Sequence, residues 1–173
     1  LVKRPVKELL VKDCRRVRIM TQGVFRMEAE GNIGERLQRA GLYYRDFSGL
    51  AYDTGENGRE LPRPSGLHLK TEEKDGLFLV LDLERMASGY LALDITTPVP
   101  AEIEIGFGEH LQDLRVRTSV GGRAFAVSYA SGPGRSRFVH YFRRLGCRYL
   151  QLLIHCREAV IYEAGLLEVQ YPV

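Results

Sequence analysis

The 173-residue sequence predicts a mainly β protein: an antiparallel β-sandwich with one short helix near its N-terminus. Three observations carry that expectation. From Gly76 onward, short apolar segments follow one another: LFLVLDLE, YLALDIT, AEIEIGF, AFAVSYA, RFVHYF, RYLQLLIH, AVIYEA and LLEVQYPV, each bounded by glycine, proline or a charged turn. Many alternate apolar with polar residues, the period-two signature of a strand with one face in a core and the other in water. No long helical periodicity occurs, and short strands at regular spacing argue for antiparallel pairing rather than a parallel sheet.

The elements are justified in chain order. The basic residues that open the chain read as a linker. A first strand is expected from Arg16 to Phe25, where Val17, Ile19 and Val24 stand among polar neighbours and Gly23 interrupts. Asn32 with Glu35 three positions on is a capping-box variant, and Ile33, Leu37 and Ala40 follow at helical spacing before Gly41, which predicts the short helix. DTGENGRELPRPSG, from Asp53 to Gly66, is loop chemistry without the apolar content to build a core. In EIEIGF, Ile103, Ile105 and Phe107 are expected to face the core and Glu102 and Glu104 to face water. Phe125, Val127 and Tyr129 share one side of their strand, as do Leu79, Leu81 and Leu83 of theirs. SGPGRS, Ser131 to Ser136, lacks the GK[ST] ending of a phosphate loop and joins two strands, so a hairpin turn is the better reading. The chain divides into 1–73, an arm with a strand, helix and loop, and 74–173, the sandwich; the two are expected to form one structural unit.

Composition narrows the function classes. Lys plus Arg number 25 against 22 Asp plus Glu, a formal charge of +3, so charge is locally balanced and nucleic acid is not the first partner to consider. Cys14, Cys147 and Cys156 form no CxxC pair and read as buried thiols. No apolar run is long enough to span a bilayer, and charges scattered through LVKRPVKELLVKDCRRVR break any signal-peptide core, so no membrane partner is expected. The chain opens on Leu1 rather than Met, which suggests a processed product or a fragment excised from something longer.

Several motifs, taken in order, resemble the β-sandwich that precedes the catalytic barrel in bacterial α-L-rhamnosidases. In LDLERMASGYLALDI, Asp82 and Gly89-Tyr90 resemble that family's opening "D-F-G…G-Y" pattern, with Glu84 where glycine is common. Gly108, Glu109 and Leu111 resemble its "Y-G-E-x-L" segment, with Phe107 for tyrosine and Leu114 where glycine often follows aspartate. Gly122-Arg123 and the strand to Tyr129 resemble the approach to its glycine turn. Phe142, Gly146, Arg148 and Tyr149 resemble its "F-x-x-x-G-F-R-Y-V" signature, with Cys147 replacing an aromatic, and GLLEVQYPV looks like its final strand.

The resemblance covers about the last hundred residues of the chain. It implies a sandwich of jelly-roll or concanavalin-like type, and structural roles for Asp82, Gly89, Gly108, Gly146, Arg148 and Tyr149. It also implies an accessory, non-catalytic role. In that family the paired acids that glycosidases need lie in a downstream α/α barrel, so this chain alone is not expected to hydrolyse glycosides. The implied partners are that barrel, a rhamnose-containing saccharide and, for the isolated fragment, a second copy. Neither cofactor nor metal is expected.

The residues themselves add candidates and alternatives. Glu109, between Gly108 and His110, is the most tempting acid; a cap or an arginine partner is its plainer reading. Glu109, Arg123 and Tyr129 are the carbohydrate-contact candidates. Asp82/Glu84 and Glu102/Glu104 each share a strand face, but acidic solvent faces are commoner than cation clamps. His68, His110, His140 and His155 match no metal-ligand spacing. Trp, the best sugar platform, is absent; Tyr43, Tyr44 and Tyr52 could substitute, although Tyr43 and Tyr44 read better as helix anchors. A free-standing carbohydrate-binding or interaction module is the second reading. A nucleic-acid-binding protein, from the basic clusters at 12–18 and 143–148, is the third.

Overall fold

The computed structural model describes residues 8–26, 31–39, 41–43, 59–72, 75–112 and 114–172. Two long strands organise it: β5 below is Gly76–Thr97 and β12 is Gly134–Ile154. The sequence divides each of them in two at its charged or glycine-bearing middle. In the structure each continues through that middle and bends, so that its halves lie in different layers. At the β5 corner the Asp82 carboxylate accepts the Glu84 N–H at 2.7 Å and Glu84 takes a left-handed φ of 66°. That local bond turns the strand without ending it.

The remaining strands of this sheet pair antiparallel with these two or with one another. They are β1 (Leu10–Cys14), β2 (Arg18–Arg26), β3 (Gly41–Tyr43), β4 (Leu67–Lys70), β6 (Ala101–Gly108), β11 (Ala126–Ser131) and β13 (Glu158–Gln170). One layer runs β3, β2, the first half of β5, the second half of β12, β6 and β11. The other sets β1 and β4 on β13, followed by the second half of β5 and the first half of β12. Leu79, Leu81 and Leu83 from the first half of β5 meet Leu91, Leu93 and Ile95 from the second half in one core cluster, with Ile103 and Ile105 of β6. The curled sheet is therefore a β-sandwich, as the alternating pattern predicts.

Four expectations need correction. The opening basic stretch is not all linker, because Leu10–Cys14 forms β1, an edge strand on β13. The loop before Gly66 does reach the core: Leu61 is buried there and its N–H bonds to the Val17 carbonyl. AVIYEA and LLEVQYPV are one strand, β13, with an irregularity between Ile161 and Glu163. Finally, SGPGRS makes no hairpin. Ser131 pairs with Ala101 of β6, whereas Gly134 pairs with Thr97 of β5, so the segment crosses between layers. Thr97 and Ser131, both buried, hold the crossing through a 3.1 Å hydroxyl contact.

The helix α1, Ile33–Arg39, covers the outer face of the first layer. Its start is the reciprocal capping box: the Asn32 N–H donates to Glu35 Oε2 at 3.0 Å, and the Glu35 N–H to Asn32 Oδ1 at 3.1 Å. Leu37 packs with Phe25, Phe78, Val80 and Leu153. Helix burial also corrects the placing of Glu104, which does not face water. It is 1% exposed and pairs with Arg36 of α1 and, at 3.4 Å, with His155. Among the described residues all three cysteines are buried thiols, with burial pushing Cys14 up to about 11 and Cys147 up to about 12.

Candidate functional site

Between β6 and β11 the chain leaves the sheet and returns, forming two short hairpins: β7 (Leu111–Gln112) with β8 (Arg115–Val116), and β9 (Ser119–Val120) with β10 (Arg123–Ala124). The helix holds this excursion in place. Thr118 Oγ1 donates to the Gly34 carbonyl at 2.6 Å, and the Ser119 N–H donates to Gln38 Oε1 at 3.2 Å. A Cβ at Gly34 would stand 2.6 Å from the Thr118 carbonyl oxygen, so the close approach requires glycine. Gln151, fully buried, links the same parts by donating to the Leu37 carbonyl and accepting from the Val116 N–H.

A cavity of about 240 Å³ opens where the excursion meets β12. Phe125 and Val120 provide its apolar surface, and Glu109, His110 and Arg117 its polar side chains. Phe125 meets Phe107 edge to face at 6.0 Å, and the Arg143 guanidinium lies 5.5 Å from the Phe107 ring centre. Gly108 and Gly146 complete the wall. A Cβ at Gly146 would meet nothing within 4 Å, so that position faces open space.

Of the three carbohydrate-contact candidates, only Glu109 lines the cavity. Arg123 is exposed on β10, and the half-buried Tyr129 ring is stacked 4.5 Å from Phe138. His110 and Arg117 also line the cavity, although the sequence marks His110 only as a neighbour of Glu109 without metal-ligand spacing and gives no signal at Arg117. Tyr44 and Tyr52 lie outside the described residues, as does the side chain of Tyr43. No group of three metal-ligating side chains occurs among the described residues. Among the described residues Glu109 is the one carboxylate lining the cavity, whereas glycoside hydrolysis uses a facing pair.

Asp82 and Arg148 form a two-pronged ion pair at 3.0 and 3.1 Å across the β5 corner, which places both at a structural joint. The arginines of the first basic cluster are also engaged: Arg15 with Glu168, Arg16 with Glu60 and Arg18 with Glu84.

A GH78-family rhamnosidase of Bacillus sp. GL1 superposes with a TM-score of 0.56 and 24% identity, over 68% of this chain and 13% of its own. A rhamnosidase from Klebsiella oxytoca with rhamnose bound gives 0.51 and 15%, over 95% of this chain and 30% of its own. The fold is shared with part of each rhamnosidase. This chain spans 13% of the length of the first rhamnosidase and 30% of the second. No family model and no curated protein matches it.

Proposed function

We propose that this chain is a non-catalytic β-sandwich of an α-L-rhamnosidase-like glycoside hydrolase, one that packs against the catalytic domain and borders its saccharide. The observation that carries the reading is the superposition on a minor part of two much longer rhamnosidases. The ordered motifs through Asp82, Gly108, Gly146 and Arg148 support it. The docking surface fits as well: Tyr141 is 63% and Phe142 100% exposed, beside Arg143 and Arg144. Exposed aromatic and arginine side chains are the usual anchors of a protein interface.

A free-standing carbohydrate-binding module is favoured by one observation, the cavity itself. The nucleic-acid reading draws little from the basic clusters, because Arg15, Arg16, Arg18 and Arg148 already face carboxylates. The test is the complete reading frame expressed beside the 173-residue chain, both assayed on an aryl α-L-rhamnoside. The longer product should carry a helical barrel with two facing carboxylates and turn the substrate over; the shorter should be inert. Turnover by the short chain, or a frame without such a barrel, removes the reading.

A further inference from the structure

We propose that the cavity between β6, the 109–125 excursion and β12 is a subsite for one neutral pyranose ring of a glycan. Its side-chain inventory selects the ligand class. Glu109 supplies an acceptor, Arg117 a set of donors and His110 one of each when neutral, while Phe125 and Val120 offer an apolar surface. A sugar ring asks for this combination, because its hydroxyls both donate and accept and its C–H faces pack on aromatic rings. Formal charge points the same way: among the described lining residues Glu109 and Arg117 cancel, so neither an anion nor a cation is favoured. An anion would meet the Glu109 carboxylate, and a metal ion the Arg117 guanidinium.

Size and rigidity agree with a single ring. The volume of about 240 Å³ falls below the roughly 300–1,000 Å³ typical of sites for drug-sized ligands. The Phe107–Phe125 contact, backed by Arg143, fixes the floor, and the hydrogen bonds from Thr118 and Ser119 to α1 fix the wall. At Gly146 the missing side chain leaves open space at the cavity wall.

That open space supplies the decisive variant. In Gly146→Leu the new side chain starts from the cavity wall without meeting protein at its Cβ, so the fold should persist while the sugar is displaced. The expectation that the ring belongs to a glycosidase's saccharide rests on the function proposed above; binding itself does not. Calorimetry and saturation-transfer NMR on the 173-residue chain would use L-rhamnose, methyl α-D-glucopyranoside and D-galacturonate as probes. At least one neutral sugar should bind with a dissociation constant on the order of 1 mM. Gly146→Leu and, separately, Glu109→Gln should each weaken it about tenfold or more, with the thermal midpoint unchanged.

Three results would overturn the proposal: no binding of either neutral sugar, equal binding by both variants, or preference for the uronate with an affinity that falls as salt rises. Failure of the accessory-domain reading would show instead in the reading-frame experiment, whatever the sugar titration gives.

Discussion

Glu84 and Leu114 are the two described non-glycine residues with left-handed backbone, at φ 66° and 61°. A side chain at either position therefore carries backbone strain that glycine would not. A side chain in this region costs about 1–2 kcal/mol, partly offset because glycine loses more freedom on folding. Leu114→Gly should therefore raise stability by about 0.5–1 kcal/mol, read as a higher urea midpoint with unchanged slope. Glu84→Gly should change little, because the relief comes with loss of the Arg18 contact. A lower midpoint for Leu114→Gly would show that its packing outweighs its backbone strain. Nothing in the residue pattern pairs Asp82 with Arg148, since they are separated by 66 positions and meet only across the β5–β12 pair.

At the scale of elements, α1 decides the chemistry beneath it. Period-two alternation correctly set Glu104 opposite Ile103 and Ile105, but the face it occupies is roofed by a helix from another part of the chain. Burial alone would raise the Glu104 pKa; contact with His155, and the hydrogen bond and charge of Arg36, more than offset this and hold it below the ordinary carboxylate value of 4.5. A carboxyl depressed by folding contributes stability that is fully present above its unfolded pKa and is lost as pH falls through the folded one. Unfolding free energy should therefore decline on acidification from about pH 5 downward, and Glu104→Gln should flatten that acid limb while lowering stability at pH 7. The comparison is made by urea titration at a series of pH values. Identical acid limbs for the two proteins would mean that this carboxylate is not what couples α1 to pH.

On the scale of the whole molecule, the described surface carries an exposed aromatic tip. Between Val139 and Arg144 the pairing of β12 with β5 slips, and the intervening residues present Tyr141 and Phe142 to solvent. Tyr141 leans on Tyr90 at 5.4 Å, while Phe142 stands fully exposed. In isolation this surface should bind a hydrophobic dye and promote association at high concentration. Phe142→Ser should reduce both without lowering the thermal midpoint, since the ring buries nothing in the monomer. Dye fluorescence and light scattering across a concentration series make the check. A dispersed, dye-negative wild-type chain would count against the docking role.

By itself the sequence determined what depends on neighbours along the chain. Alternation marked the apolar rows of β5 and β6, and Asn32 with Glu35 marked the start of α1, because strand periodicity and capping act over a few residues. Only the tertiary structure decided what depends on distant partners. It fused apparent strand pairs into β5, β12 and β13, carried Ser131 to Gly134 between layers, buried Glu104 beneath α1, and gathered Glu109, Arg117 and Gly146 around one cavity. The physical reason is that a local pattern says which of two faces a side chain takes, whereas what covers that face is set by how the layers close.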